Sequence, residues 1–171
     1  MKRKAQILVI GYNSDSCTRN AYDVAYDVAY DVGKEVAKSG AILITGGLGG
    51  VMEAASKGAR DANGIALGII PFEEFSEANE YCDIVVCSGM GYARNFITAY
   101  SADGVIIVGG GIGTLIEAGI AYMKKKPVVA VAGSGGVADQ YAGKYLDDRK
   151  LVKISSANSP KEAVDFIIKN V

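Results

Sequence analysis

A glycine-rich turn that leads into a helix carries the clearest chemical signal in this sequence. Residues 103–117 read Asp-Gly-Val-Ile-Ile-Val-Gly-Gly-Gly-Ile-Gly-Thr-Leu-Ile-Glu, an apolar strand that ends in glycines and continues as a helix. Glycine accepts positive φ and exposes bare N–H groups to an anion, and the helix N-terminus adds positive partial charge. The stretch therefore predicts a phosphate-binding turn with the Glu117 carboxylate on its rim. The alternative is an ordinary tight turn, with Glu117 as a solvated acid in the first helical turn.

Two other loops are predicted to reach the same place. Residues 46–50 read Gly-Gly-Leu-Gly-Gly and also connect a buried strand to a helix, while residues 11–14, Gly-Tyr-Asn-Ser, follow the first strand. Ligands of open α/β sheets bind beyond the carboxyl ends of the strands, so these loops are expected to open onto one ligand. Neither glycine turn is a dinucleotide fingerprint, because Met52 and Ile116 stand where GxGxxG needs glycine, and no P-loop motif occurs.

Arg94 is the cation predicted for this site. It lies near the start of a predicted helix that runs to about Ser101, where a basic side chain is poorly matched to the helix dipole. A charge in an unfavourable place suggests a functional reason, namely a contact with the ligand or with Glu117. The alternative is a surface arginine on an ordinary helix.

The elements that must position these residues form an alternating pattern. Short β-branched runs indicate strands at 5–10, 41–45, 65–70, 83–87, 105–108, 128–132 and 151–154. Helical spacing indicates five helices. The first follows a cap at Ser16 or Thr18, the second spans 51–62, the third ends near Ser101 and the fourth spans 114–123. The fifth runs from Pro160 to Asn170 after a cap at Ser159. The predicted fold class is α/β, a doubly wound Rossmann-like three-layer sandwich with a mainly parallel sheet of about seven strands, in one domain over residues 1–171.

Composition narrows the function classes. The chain has 171 residues, 50% of them hydrophobic, and its formal charge of −1 creates no global field that would attract nucleic acid or an anionic membrane. No apolar run approaches a membrane span and the N-terminal apolar stretch is too short for a secretory signal, so a cytoplasmic location is expected. Histidine does not occur and the three cysteines form no CxxC pair, so we predict no metal site, no disulfide framework and no Ser-His or Cys-His nucleophile.

One predicted helix contains the only internal repeat of the sequence, Ala-Tyr-Asp-Val three times over residues 21–32. Its alanines and valines form a narrow stripe that can lie close to a sheet, and Tyr22, Tyr26 and Tyr30 form a ridge beside that stripe. We interpret the tyrosines as a partly buried packing ridge. The alternative is a subunit interface, in which tyrosine is enriched.

As a set, these motifs resemble the Rossmann-like proteins often labelled lysine decarboxylase-like, which include the LOG cytokinin-activating phosphoribohydrolases and the molybdenum-cofactor carrier proteins. That family's core motif is PGGxGTxxE, preceded by an arginine-lysine pair. Residues 109–117 match the first motif with Gly109 for the proline, and Arg94-Asn95 match the second with Asn95 for the lysine. The 46–50 turn is placed like the family's upstream glycine motif, and residues 89–95 look more like the carrier-protein branch than the hydrolase branch.

The resemblance implies a protein that binds a nucleotide or a phosphorylated cofactor. The implied partner is a phosphorylated small molecule, such as a nucleotide or a molybdopterin-type ligand. No cofactor is expected to be required. The alternative that it implies is a phosphoribohydrolase, which cleaves the N-glycosidic bond of nucleoside 5′-monophosphates, with Arg94 and Glu117 as catalytic residues. The sequence contains no recognisable pyridoxal-phosphate signature, so it does not support the lysine decarboxylase label. A homodimer or higher homo-oligomer is expected. The residues expected to bind phosphate or nucleotide are Gly11, Ser14, Gly46, Gly47, Gly49, Gly50, Gly110, Gly111, Gly113 and Thr114.

Overall fold

A parallel β-sheet forms the centre of the computed structural model, which describes residues 3–15 and 17–171. Its strands are β1 (Gln6–Gly11), β2 (Ile42–Thr45), β3 (Ile65–Ile70), β4 (Ile84–Cys87), β5 (Gly104–Val108), β6 (Val128–Val131) and β7 (Ser155–Ala157). The strand order is β4-β3-β2-β1-β5-β6-β7, and each described pairing is parallel. The predicted seven-stranded, mainly parallel sheet is confirmed.

Helices cover both faces of this sheet. They are α1 (Arg19–Lys38), α2 (Val51–Asp61), α3 (Arg94–Ser101), α4 (Ile112–Met123), α5 (Gly136–Tyr141) and α6 (Pro160–Lys169). Helices α1, α2 and α6 bury their apolar residues against one face, and α3, α4 and α5 against the other. Side chains alternate along the strands, so Ile7 and Val9 enter the first core cluster while Leu8 and Ile10 enter the second. The predicted three-layer sandwich is confirmed.

The strand order reverses next to β1. From β1 the chain builds outward through β2, β3 and β4, and it then returns to place β5 on the other side of β1, with Gly11 opposite Val108. The loops that leave β1 and β5 therefore run to opposite sides of the sheet and open a crevice at its carboxyl edge, where ligands of this fold class bind. No helix among the described residues is long and apolar enough to cross a membrane.

Two elements near the C-terminus differ from the sequence-based expectation. The last strand is β7 and not residues 151–154, because the Ile154 N–H and C=O groups pair with Lys144 and Gly143 instead of with β6. Helix α5 was not predicted, since its first residue is a glycine. The Asp139 carboxylate accepts hydrogen bonds from two backbone N–H groups of the preceding glycine turn at 2.6 and 3.1 Å, which fixes the start of this helix.

The predicted cap of the C-terminal helix is confirmed, whereas the predicted capping of the first helix is not seen among the described residues. Ser159 caps α6 by accepting a hydrogen bond from the Glu162 N–H at 3.2 Å, and Pro160 is its first residue, as predicted. Thr18 occupies the N-cap position of α1, but its side chain makes no capping hydrogen bond to the described residues. The other candidate cap, Ser16, lies outside the described residues.

The tyrosine ridge of α1 packs within the molecule. Tyr22, Tyr26 and Tyr30 are each half-buried, and the Tyr30 hydroxyl donates a 2.9 Å hydrogen bond to Asp61 of α2. The ammonium group of Lys57, also on α2, lies 5.1 Å from the centre of the Tyr30 ring. These contacts agree with the interpretation of the tyrosines as a packing ridge.

Helices α1 and α2 approach each other closely at two glycines. A Cβ atom added to Gly33 would overlap the backbone carbonyl of Ala55, and one added to Gly58 would overlap the carbonyl of Tyr30. Backbone atoms cannot move aside as the end of a flexible side chain can. The two helices therefore fit together only because these positions have no side chain.

We expect Gly33→Ala to destabilise the protein despite the better helix propensity of alanine. The added methyl group overpacks the α1–α2 contact, and the net loss in unfolding free energy should be roughly 1–3 kcal/mol. Val24→Ala, at an exposed position of the same helix, should change stability by less than about 0.5 kcal/mol. Urea unfolding of both variants measures the difference, and a Gly33→Ala protein as stable as the wild type would contradict the close contact.

Candidate functional site

A cleft of about 280 Å³ opens at the carboxyl edge of the sheet, at the strand-order reversal. Six of the residues singled out in the sequence line it together, although they are up to 106 positions apart (117 − 11). These six are Gly11, Arg94, Gly111, Gly113, Thr114 and Glu117. The structure therefore brings the glycine turn, the arginine and the carboxylate to one place.

The N-terminus of α4 forms one wall of the cleft. Gly109 and Gly110 have positive φ, and Gly111 is the N-cap of the helix, which begins at Ile112 and thus two residues before the predicted start. Space is open where Cβ atoms of Gly111 and Gly113 would lie. The first N–H groups of a helix lack partners within the helix and carry positive partial charge, so this wall can receive an anion.

Two hydrogen bonds hold the β1 loop beside the glycine turns. The Thr114 hydroxyl donates to the Gly11 carbonyl at 3.0 Å and so connects the start of α4 to the end of β1. The Val51 N–H donates to the Tyr12 carbonyl at 2.9 Å and connects α2 to the same loop. The β1 loop is therefore bonded to the first turns of both helices that follow the glycine turns.

Arg94, Thr98 and Glu117 form a buried polar group at the base of the cleft. Arg94 is the first residue of α3 and is only 8% exposed, and its Nε has no hydrogen-bond partner among the described residues. Its Nη1 lies 4.0 Å from Glu117 Oε1. The Thr98 hydroxyl donates to that same oxygen at 2.7 Å. Helices α3 and α4 thus hold a cation and a carboxylate side by side in a partly desolvated site.

Burial and charge act against each other on these two groups. Burial raises the pKa of Glu117, and the hydrogen bond from Thr98 and the charge of Arg94 oppose that rise. Burial lowers the pKa of Arg94, while the Glu117 carboxylate opposes that fall. A guanidinium remains charged in proteins, so the cleft contains a permanent cation next to a carboxylate that takes up a proton more readily than usual.

The glycines of the second glycine turn, residues 46–50, lie behind the cleft and do not line it. A Cβ atom on Gly46 would overlap the Arg94 guanidinium, so this glycine leaves room for the arginine. Of this turn, Leu48 lines the cleft, while Gly47 packs on Ile70. The remaining predicted residues also lie outside the lining, each against a neighbouring loop or helix: Gly49 beside Ser14, Gly50 under the Tyr12 carbonyl, and Gly110 bonded through its carbonyl to Val137.

Several cleft residues were not identified in the sequence. Asp15 and Tyr92 line the cleft without having been singled out, whereas Asn13 belongs to the 11–14 loop that was expected to open onto the ligand and Asn95 stands at the position of the family's lysine. Thr98 was also missed, although its position four residues after Arg94 places both on one side of α3, which is a signal that the sequence contains. Among the described residues no cluster of three or more His, Cys, Asp and Glu side chains could hold a metal ion.

Comparison with known proteins identifies the family. The model of the SLOG cluster4 family matches residues 4–164. The chain belongs to the SLOG cluster4 family. The matched range contains every residue that lines the cleft.

Three solved structures resemble this SLOG cluster4 chain over nearly its whole length. The X-ray structure of TM1055 is 36% identical with a TM-score of 0.87, over 96% of this chain and 99% of that chain. The molybdenum cofactor binding protein of the phototrophic bacterium Rippkaea orientalis is 31% identical with a TM-score of 0.85, over 99% and 98%. The molybdenum cofactor carrier protein of Chlamydomonas reinhardtii is 32% identical with a TM-score of 0.80, over 98% of each chain. The resemblance to the carrier-like branch of the LOG-like proteins is confirmed.

We expect Thr98→Val to destabilise the protein more at pH values above the pKa of Glu117 than at pH values below it. The Thr98 hydroxyl bonds to the ionised carboxylate and lowers the pKa of Glu117, so its removal raises that pKa. The stabilisation from this bond is present above the pKa of Glu117 and is lost as the pH falls through it. A hydrogen bond to a charged group contributes about 1.5–3 kcal/mol, which sets the expected loss at pH values where Glu117 is ionised.

Denaturant unfolding at a series of pH values measures this effect. Thr98→Ser, which keeps the hydroxyl, is the matched control and should retain the pH dependence of the wild type. A loss from Thr98→Val that is the same at every pH would show that Thr98 acts only by packing.

Proposed function

We propose that this SLOG cluster4 protein binds a phosphorylated cofactor or nucleotide in the cleft, with its phosphate between the N-terminus of α4 and Arg94. The observation that carries the proposal is the buried guanidinium, whose Nε has no partner among the described residues. Removing a cation from water is costly unless an anion compensates it, and Glu117 at 4.0 Å gives only one distant contact. A phosphate oxygen in the cleft would supply that compensation.

The opposite wall favours the same ligand group. Because no side chain covers Gly111 or Gly113, an anion can approach the first N–H groups of α4 directly. The Thr114 hydroxyl lies in the same turn and lines the cleft. Backbone donors on one side and a guanidinium on the other suit a phosphate, which accepts several hydrogen bonds at once.

The related proteins favour a molybdopterin-type ligand within this class. Two of the similar structures are of a molybdenum cofactor binding protein and a molybdenum cofactor carrier protein. Such a ligand joins a phosphate to a pterin ring with N–H donors. In this chain, Gly111, Gly113 and Arg94 would hold the phosphate, and Asn13 and Asp15 offer oxygen acceptors to the ring. The ligand would be cargo, and the molybdenum chemistry belongs to the enzyme that receives it.

A phosphoribohydrolase is the second candidate, and one observation favours it. Glu117 lines the same cleft as the proposed phosphate site, and a carboxylate beside a bound nucleotide could stabilise the oxocarbenium-like sugar formed as the N-glycosidic bond breaks. Two features weigh against strong catalysis. Burial raises the pKa of Glu117, which reduces its ionised fraction, and Asn95 stands where the hydrolase motif has lysine.

We expect Arg94→Ala to weaken the binding of nucleoside 5′-monophosphates and of inorganic phosphate by roughly 10- to 100-fold, because a charge-assisted hydrogen bond is lost. Its stability should change little, since Glu117 can take up a proton when the guanidinium is gone. Titration calorimetry measures the affinity, with Arg60→Ala on α2 as the matched control. A large loss of stability with unchanged affinity would show that Arg94 is only structural.

We expect Gly113→Val to abolish phosphate binding while the domain stays folded. The side chain would fit the open space at this position and so occupy the place of the anion. Gly113→Ala, with its smaller side chain, should give an intermediate affinity. Unchanged affinity for the valine variant in the same titration would refute the phosphate site at α4.

Incubation with a panel of nucleoside 5′-monophosphates separates the two candidate functions. Chromatography detects any free base released. Binding without release of base supports a carrier, whereas release that disappears in Glu117→Gln supports the hydrolase.

A further inference from the structure

Apolar side chains form part of the cleft wall, in addition to the polar groups of the proposed phosphate site. They are Leu48, Met52, Tyr92 and Ile112, which come from the regions where β2, β4 and β5 lead into their helices. Tyr92 and Ile112 are 92% and 75% exposed. Ligand sites combine apolar walls with a few polar groups, and aromatic side chains lie favourably against planar rings. These walls therefore suit the ring of a ligand whose phosphate lies at α4.

Asp15 is a charged residue of the cleft to which the phosphate site gives no role. The three charged residues that line the cleft are Asp15, Arg94 and Glu117, and the last two lie beside each other. Asp15 is exposed and forms no ion pair within the described part of the chain. Its Oδ1 accepts a hydrogen bond from Asn13 Nδ2 at 3.0 Å. This bond orients the carboxylate and leaves lone pairs on both of its oxygens.

The Asp15 carboxylate restricts which ligands fit the cleft. It repels the phosphate that Arg94 attracts, and this repulsion is offset only if the ligand presents N–H donors to Asp15. Hydrogen bonds to an ionised acceptor are roughly twice as strong as neutral ones. Glu117 is less suited to this role, because it is buried and its Oε1 already accepts a hydrogen bond from Thr98 at 2.7 Å. We therefore expect a donor-bearing ring edge at Asp15.

A carboxylate distinguishes planar heterocycles by their edges. Its two oxygens accept two parallel hydrogen bonds and donate none. Guanine and pterin share an edge on which a ring N–H and an exocyclic amino group stand side by side, so this edge donates both bonds. Hypoxanthine has the ring N–H without the amino group. Adenine has an unprotonated ring nitrogen beside its amino group, and the lone pair of that nitrogen would face a carboxylate oxygen, which disfavours adenine.

We propose that Asp15 is a specificity-determining residue that selects phosphorylated ligands with the guanine-type edge, a ring N–H beside an exocyclic amino group, and that Tyr92 forms a wall for the ring. The inference rests on the proposed function, because the phosphate at α4 and Arg94 holds one end of the ligand. It narrows that function by disfavouring adenine nucleotides. It also makes guanosine 5′-monophosphate the preferred substrate of the alternative hydrolase.

The test is titration calorimetry of the full chain with four phosphate monoesters: guanosine, inosine and adenosine 5′-monophosphate, and the phosphate of 6-hydroxymethylpterin. The guanosine and pterin probes should each bind roughly 10- to 100-fold more tightly than the adenosine probe, because two charge-assisted hydrogen bonds replace an unfavourable contact. The inosine probe, with one donor fewer, should lie between them. The tighter of the guanosine and pterin probes identifies which source of the shared edge the cleft prefers.

Two variants assign the selectivity to residues. Asp15→Asn replaces one acceptor oxygen by an N–H donor, so it should bind guanosine 5′-monophosphate at least about 10-fold more weakly and the adenosine probe no more weakly than the wild type. Tyr92→Ala should weaken all four probes several-fold and leave the affinity for inorganic phosphate unchanged. Asp27→Asn, at an exposed position of α1, is the matched control and should retain every wild-type affinity. Circular dichroism verifies folding.

Equal affinities of the wild type for the guanosine and adenosine probes, or a preference that persists in Asp15→Asn, would overturn the selectivity of Asp15. Unchanged nucleotide affinity in Tyr92→Ala would overturn the ring wall. The proposed phosphate site would stand in each of these cases as long as Arg94→Ala weakens the binding of inorganic phosphate. Failure of the wild type to bind any of the four probes or inorganic phosphate would instead overturn the proposed function and the selectivity together.

Discussion

Burial of the Arg94 guanidinium is the constraint on which the candidate site depends. A cation can leave water only where other groups compensate its charge, and the nearest described acid is Glu117 at 4.0 Å. Glu117 is in turn bonded to Thr98, so α3 and α4 must stay in register for the carboxylate to be in place. The positive charge of Arg94, in a cleft at the edge of the sheet, is thus only partly compensated. An anionic ligand would complete the compensation.

The two sides of the sheet contribute differently to this arrangement. On one side, α1 and α2 touch through glycines, and α2 is bonded to the β1 loop, so that wall is closely packed. On the other side, α3 and α4 carry the charged pair on their inner surface and uncovered apolar side chains on their outer surface. The chemistry of the site and the most exposed apolar surface therefore belong to the same two helices, while α1 and α2 supply a fixed support.

Sequence patterns predicted the fold and the meeting of Arg94 with Glu117 because strand–helix alternation fixes which loops share an edge. They could not show what each glycine does. The 46–50 turn has the composition of a ligand loop, yet Gly46 makes room for a side chain and Gly47 for the neighbouring strand. Helix α5 was missed because the glycine at its start has a low helix propensity and weakens the helical pattern of the sequence. The exposure of α4 was missed because a helix that is apolar on all sides resembles a buried one.

The contact between Gly46 and Arg94 also bears on how such a site can be lost in evolution. Gly46 does not line the cleft, but a single methyl group at this position would occupy the place of the guanidinium. One nucleotide change that converts glycine to alanine would thus displace the cation and leave every residue that lines the cleft unchanged. A relative with an intact cleft lining can therefore have lost the site. The residue at the position of Gly46 must be compared before a function is inferred from one such protein for another.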